Sequence, residues 1–247
     1  MKKFFKLTAF AIWMYGYIFY MWAYYTRVNK ARLVGDVSKE IEEIRKLQHK
    51  WGLGVTEHYK IKINVSGLEK IPAEPVLFVS NHQSFADIPI FVAAIDRQIG
   101  FIAKYELSKI PLFGNWIKAV RSVFIHRGAG RESLKAIEEA TELLNKGYTL
   151  GVFAEGTRSR GPNIQEFKKG SLRLAVKAGV KVVPVAINGS YVSYEKNAYP
   201  TPCTVEFVIM DPIDTIGLSR HEGSNLAETV EIIIKNKLDE LQKSFVE

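Results

Sequence analysis

The chain has 247 residues, 47% of them hydrophobic and 24% charged. That is enough apolar length for one α/β domain with a full core, and too much for a disordered chain. The single cysteine, Cys203, can form no internal disulfide, and the Cys and His positions lack metal-ligand spacing, so no disulfide scaffold and no metal is expected. The net charge of +8 sits in the middle: from Arg97 to Lys181 there are 16 Lys or Arg against 7 Asp or Glu, a surplus of nine. Such a surplus suits nucleic acid, an anionic membrane or a phosphorylated substrate, and charge alone does not choose among them.

From Leu7 to Tyr25 there are 19 uncharged residues, with Lys2, Lys3 and Lys6 before them and Arg27, Lys30 and Arg32 after. The run is just long enough to cross a bilayer. It is also rich in Phe10, Trp13, Phe19, Trp22 and five tyrosines, residues that favour the headgroup region. A cleavable signal peptide and a buried core helix are the competing readings; the run lacks a clear small-x-small site, and the basic flanks on both sides suit phosphates. A second helix is read over 36–50, where Val37, Ile41, Ile44 and Leu47 recur at helical spacing before Trp51. The pair is expected to form a membrane-attachment hairpin that lies on or dips into one leaflet. The domain boundary is drawn at Gly52-Leu53-Gly54, giving an attachment unit over 1–52 and an α/β domain over 53–247.

Beyond that boundary short apolar runs alternate with helical patterns, the signature of an α/β layer structure with a central sheet flanked by helices. Strands are expected over 60–65, 76–80, 100–103, 123–126, 149–153, 182–187 and 204–210. The clearest helices cover 130–146, 170–178 and 226–245, the last with Asn225 as a possible cap.

Asn81-His82-Gln83-Ser84-Phe85-Ala86-Asp87 follows the apolar strand at 76–80, so it falls at a strand's carboxyl end, where open α/β sheets place their ligands. Five positions apart, His82 and Asp87 are about 140° apart on a regular helix and can meet only if His82 lies in the turn and Asp87 in the first turn of the helix. There Asp87 would accept from one imidazole nitrogen and leave the other to take a proton from a hydroxyl. The alternative is ordinary helix-start chemistry, with Ser84 as N-cap and Asp87 as its N3 partner. Phe153-Ala154-Glu155-Gly156-Thr157-Arg158-Ser159-Arg160 follows another apolar strand; Gly156 allows close backbone approach and Arg158 offers a two-pronged fork to an anion, unless the segment is simply a solvated basic loop. Lys104 and Arg127 also follow strand candidates. No nucleophile elbow, Walker loop, dinucleotide fingerprint or zinc-protease helix is present, so covalent serine chemistry, nucleotide hydrolysis and hydride transfer lose their usual marks.

Four ordered blocks resemble the glycerolipid acyltransferase superfamily, and within it the 1-acylglycerol-3-phosphate acyltransferases: Asn81-His82-x4-Asp87; Phe101 to Arg127 with Lys104 and Pro111-Leu112-Phe113-Gly114; Phe153 to Ser159; and Val183-Pro184-Val185-Ala186-Ile187. The second block has His126 where many relatives carry Asp. The resemblance implies a glycerol-3-phosphate acyltransferase-like fold. It implies transfer of a fatty acyl group from acyl-CoA or acyl carrier protein, as co-substrate and with no cofactor, to the sn-2 hydroxyl of lysophosphatidic acid, yielding phosphatidic acid. His82, oriented by Asp87, would be the base, without an acyl-enzyme. Lys104, Arg127 and Arg158 would ring the phosphate. Glu155 and Gly156 would hold or approach the glycerol backbone with Thr157 beside them, and Pro184 would shape the pocket wall. An apolar tunnel for the donor chain is expected. The partners implied are membrane lipids, the lysolipid and the thioester, not nucleic acid, with the active domain on the cytoplasmic face of a membrane. Another acceptor, such as glycerol-3-phosphate or a lysophospholipid with a headgroup, and a non-catalytic protein that binds anionic lipids are the alternatives.

Overall fold

A computed structural model describes residues 2–126, 130–218 and 220–243. The N-terminal arm is two helical segments, α1 (Lys2–Tyr20) and α2 (Trp22–Val34), joined at Met21. Helical hydrogen bonding runs through the joint, from Met21 N–H to Tyr17 O and from Tyr25 N–H to Met21 O, and the Met21 side chain is fully buried. Gly35, at φ +77°, ends the arm in the left-handed conformation that glycine adopts at little cost. Asp36 then caps α3 (Val37–His58) by accepting from the Lys39 N–H at 2.9 Å. The arm and α3 form the expected hairpin.

The helix end at 50 is corrected: α3 continues to His58 without a break, through the position at which the boundary was drawn. Both glycines that suggested a break serve close packing. A Cβ on Gly52 would lie 2.8 Å from Pro89 O and Ala93 N, in the backbone of α4 (Asp87–Ala94), and one on Gly54 would lie 1.9 Å from the Tyr17 hydroxyl. The hairpin is locked to the sheet domain through Glu40, 2% exposed. Its carboxylate receives Arg121 Nε and Nη2, both at 2.8 Å, Arg32 Nη2 at 2.7 Å and the Tyr148 hydroxyl at 2.9 Å. Burial alone would raise the Glu40 carboxyl, but the hydrogen bonds from Arg121 and Arg32 prevail and hold it below its ordinary value. Phe5, Ile12, Phe19, Leu33 and Val34 remain exposed along the arm. Among the described residues no helix is long and apolar enough to cross a membrane.

Among the described residues seven strands follow: β1 (Ile61–Ser66), β2 (Leu77–Ser80), β3 (Gly100–Lys104), β4 (Val123–Ile125), β5 (Leu150–Phe153), β6 (Val182–Asn188) and β7 (Cys203–Ile209). They form one sheet in the order β1-β7-β6-β2-β5-β3-β4. β6, β2, β5, β3 and β4 are mutually parallel; β1 and β7 are parallel to each other and run the opposite way. β2 and β6 are buried along their whole length, as their continuous apolar runs require of central parallel strands. α6 (Gly130–Asn145), α7 (Arg173–Ala178) and α8 (Arg220–Lys243) complete the domain with the short α5 (Phe113–Ala119). The helix expected from Leu226 begins at Arg220, so Asn225 lies within α8 and caps nothing. Its side chain instead reaches the His221 ring.

Candidate active site

The carboxyl ends of β2, β3, β5 and β6 share one edge of the sheet, which gathers the second half of each strand–loop unit at one place. At the end of β2, Asn81 bonds to Ile187 through both side-chain atoms, Nδ2 to Ile187 O and Oδ1 from Ile187 N–H, each at 2.9 Å. It replaces a backbone rung to β6 and ends the strand. The chain then turns, and α4 opens at Asp87, so His82 and Asp87 meet across the turn as their spacing demands.

His82 Nδ1 lies 2.7 Å from Asp87 Oδ2. The same oxygen accepts the N–H groups of Gln83 and Ser84 at 2.7 and 2.9 Å, and Oδ1 accepts the Ser190 hydroxyl. The expected N-cap at Ser84 is corrected: Ala86 precedes α4 without a side-chain cap bond, and Asp87, the first helical residue, takes the turn's N–H groups and meets the imidazole with the same oxygen. With Nδ1 carrying the proton given to Asp87, Nε2 keeps its lone pair, and it has no hydrogen-bond partner among the described residues. The ring stacks on Phe153 with centroids 4.1 Å apart, and its backbone is held from both sides: N–H to Glu155 Oε1, and C=O from Ser159 N–H at 2.7 Å.

Glu155 is buried at 1% exposure, bridging the His82 and Gln165 N–H groups with its two oxygens. Burial pushes its carboxyl up to about 7, against those two hydrogen bonds and with the help of the Asp87 and Glu231 charges. Gly156 turns at φ +71°, and Thr157 is exposed. Arg158 lies over the Phe85 ring, 3.3 Å from its centroid, and gives Nη1 to Glu195 Oε1 at 2.9 Å. Lys104 stands at the same sheet edge, paired at 3.2 Å with Glu106 and half exposed. Arg127 lies outside the described residues. Pro184 sits inside β6 opposite Val79 and lines neither of the apolar cavities near the turn.

Those cavities flank the turn. One, of about 370 Å³, lies between α1 and the turn, with Phe10, Met14, Val55, Phe85, Pro89 and Phe113 in its wall. The other, about 440 Å³, lies within the sheet domain, walled by Ile102, Ile125, Ile137, Phe153, Gly156 and Leu174.

Sequence reasoning missed the segment after β6. Gly189, at φ +94°, gives its N–H to Gln83 Oε1 at 3.0 Å. Ser190 bonds Asp87, Ser193 Oγ meets Ser84 Oγ at 3.1 Å, and Glu195 accepts the Phe85 N–H at 3.1 Å. Residues 189–195 thus brace the His82 turn almost residue by residue. Their one legible signal was position, since they too follow a strand's carboxyl end.

The acyltransferase family profile matches residues 62–188, which contain the whole His82–Asp87 turn and the Arg158 loop. The chain belongs to the acyltransferase family. A 1-acyl-sn-glycerol-3-phosphate acyltransferase of Borreliella burgdorferi is 30% identical to this acyltransferase over 184 residues, 74% of each chain. A probable 1-acyl-sn-glycerol-3-phosphate acyltransferase of Mycoplasma genitalium is 33% identical over 189 residues, 71% of this chain and 70% of its own. The crystal structure of the 1-acyl-sn-glycerophosphate acyltransferase PlsC from Thermotoga maritima matches this acyltransferase with a TM-score of 0.76 and 33% identity, over 97% of this chain and 93% of its own.

Proposed function

We propose that this acyltransferase moves a fatty acyl group from a thioester, acyl-CoA or acyl carrier protein, to the sn-2 hydroxyl of lysophosphatidic acid, giving phosphatidic acid. The observation that carries the reading is the His82 imidazole, held at Nδ1 by a fully braced Asp87 and left with a lone pair at Nε2. Nε2 takes the hydroxyl proton as that oxygen attacks the thioester carbonyl. The tetrahedral intermediate expels the thiolate, whose conjugate acid has a pKa of about 8.5, and the imidazolium returns the proton to sulfur. No residue forms a covalent intermediate. The substrates named for the relatives support the acceptor, and Arg158 beside the turn supports a phosphate there. One of the two apolar cavities would take the donor chain. The exposed apolar side chains of α1 and α2 support attachment to one leaflet.

Purified protein assayed with lysophosphatidic acid, glycerol-3-phosphate and headgroup lysophospholipids, each with CoA and carrier-protein thioesters, tests the reading. Activity on glycerol-3-phosphate but not on its acylated form overturns the acceptor. His82→Ala should lower kcat/KM by about a hundred- to ten-thousand-fold, while sedimentation with anionic vesicles persists. Wild-type protein that stays in the supernatant counts against membrane attachment.

A further inference from the structure

Two arginine–glutamate pairs in this protein differ in form. Arg121 meets Glu40 fork to fork, two nitrogens on two oxygens, the arrangement expected of a structural lock. Arg158 meets Glu195 by one nitrogen only. Glu195 is almost as buried as Glu40, with 4% of its side chain exposed, and its second oxygen, Oε2, is buried without a partner among the described residues. The oxygen that takes Arg158 Nη1 also takes the Phe85 N–H, three residues from His82. Phe85 in turn supports the guanidinium face and packs edge-on against Tyr194, next to Glu195. The carboxylate thus joins the arginine to the catalytic turn, while the single-point contact leaves Nε and Nη2 unused by the described residues.

We propose that Glu195 is the positioning residue of the anion site: it holds Arg158 by one nitrogen at a fixed place relative to His82 and reserves the other guanidinium edge for the phosphate monoester of the acceptor. This rests on the lysophosphatidic acid reading above. A guanidinium with five N–H donors can keep one bond to Glu195 and still offer two to a phosphate. Fixing it in advance removes the entropy of ordering a long side chain on binding. The effect of Glu195 should therefore fall on the KM for the acceptor, pass through Arg158, and leave the thioester alone.

The test is steady-state kinetics on wild type, Glu195→Ala, Glu195→Gln, Arg158→Ala and the double variant Arg158→Ala/Glu195→Ala, with lysophosphatidic acid varied at saturating thioester and the reverse. Glu195→Ala should raise the KM for lysophosphatidic acid about tenfold, the worth of a hydrogen bond to a charged group, with the thioester KM unchanged. The side-chain carbonyl of Glu195→Gln can still accept both bonds, so that variant should recover most of the loss; should Glu195→Ala fail to fold, a rise of roughly two- to threefold in Glu195→Gln carries the test. In the Arg158→Ala background, Glu195→Ala should add nothing further to the acceptor KM. An unchanged acceptor KM in both Glu195 variants, or an equal rise when Arg158 is absent, overturns the proposal while leaving the function intact. A wild type inactive on lysophosphatidic acid overturns both.

Discussion

Glu155 gives the protein a stability that depends on pH near neutrality. Its carboxyl is buried at 1% exposure and raised to about 7 from an ordinary 4.5, burial being the main cause. In the unfolded chain the group releases its proton near 4.5, and in the folded chain near 7. Between those values the folded state binds the extra proton, so stability falls as pH rises through that window. Below about pH 4.5 the group costs nothing. Above about pH 7 the whole penalty is present, about 3 kcal/mol at 1.36 kcal/mol per pH unit. Glu155→Gln removes the titration. Its carbonyl can accept from His82 or from Gln165 but its amide must face the other N–H, a constant cost of about 1–3 kcal/mol at every pH. The stability of the variant relative to wild type should therefore improve by about 3 kcal/mol between pH 4.5 and pH 8. Urea unfolding of both proteins across that range reads the difference directly. A relative stability that stays flat with pH would refute the claim that burial controls this carboxyl.

Gly52→Ala should destabilise the fold by about 1–3 kcal/mol in urea unfolding, because the new methyl meets α4 backbone atoms at 2.8 Å and the overpacking outweighs the roughly 1 kcal/mol gain in helix propensity; a more stable variant would show that α3 and α4 separate freely. Glu40→Ala leaves two guanidinium groups and the Tyr148 hydroxyl without their shared acceptor. Loss of about 3 kcal/mol is expected, with a thermal midpoint equal to wild type as the contrary result. Ser190→Ala removes one of the four donors to Asp87, and kcat should fall about tenfold with little change in either KM. A rise confined to KM would mean that Ser190 touches substrate rather than steadying the dyad.

The sheet was readable because its central strands are buried on both faces. Runs such as Val182 to Ile187 are apolar without alternation and end at Gly or polar residues, so all seven strands lie within a residue or so of their expected bounds. The His82 turn and the Arg158 loop were readable for a related reason: each is a polar cluster that follows such a run. Gly52 and Gly54 misled because glycine marks breaks and close helix contacts alike, and only the position of α4 and Tyr17 decides between them. Asn225 misled in the same way, since a residue that suits a cap also tolerates an exposed helix interior. The brace at 189–195 was hidden because its partners lie more than a hundred residues away, as with Ser190 and Asp87 or Glu195 and Phe85. No periodicity records a loop that folds back on another loop. An apolar tunnel was expected, but the residues that wall the two apolar cavities were not legible for the same reason, as they come from elements distant in the chain.

The placement of the brace holds one short turn from several sides at once. His82 is fixed through its backbone by Glu155 and Ser159, through its ring by Asp87, and Asp87 by Ser190. None of these contacts comes from the N-terminal arm. Among the described residues the arm meets this region at the apolar cavity by Phe85 and Ala86, where α1 supplies Phe10 and Met14, and at Tyr194, whose ring lies 6.4 Å from that of Phe10. A change in the position of α1 would thus alter the cavity wall without breaking the hydrogen bonds made to His82 and Asp87. Phe85 belongs to both systems: its N–H bonds Glu195 of the brace, its ring carries the Arg158 guanidinium, and it lines the cavity beside the arm. On the proposed function, a phosphate at Arg158 would therefore bind on the hydrogen-bonded side of the turn and an acyl chain on the side of the cavity, with the hydroxyl between them at His82.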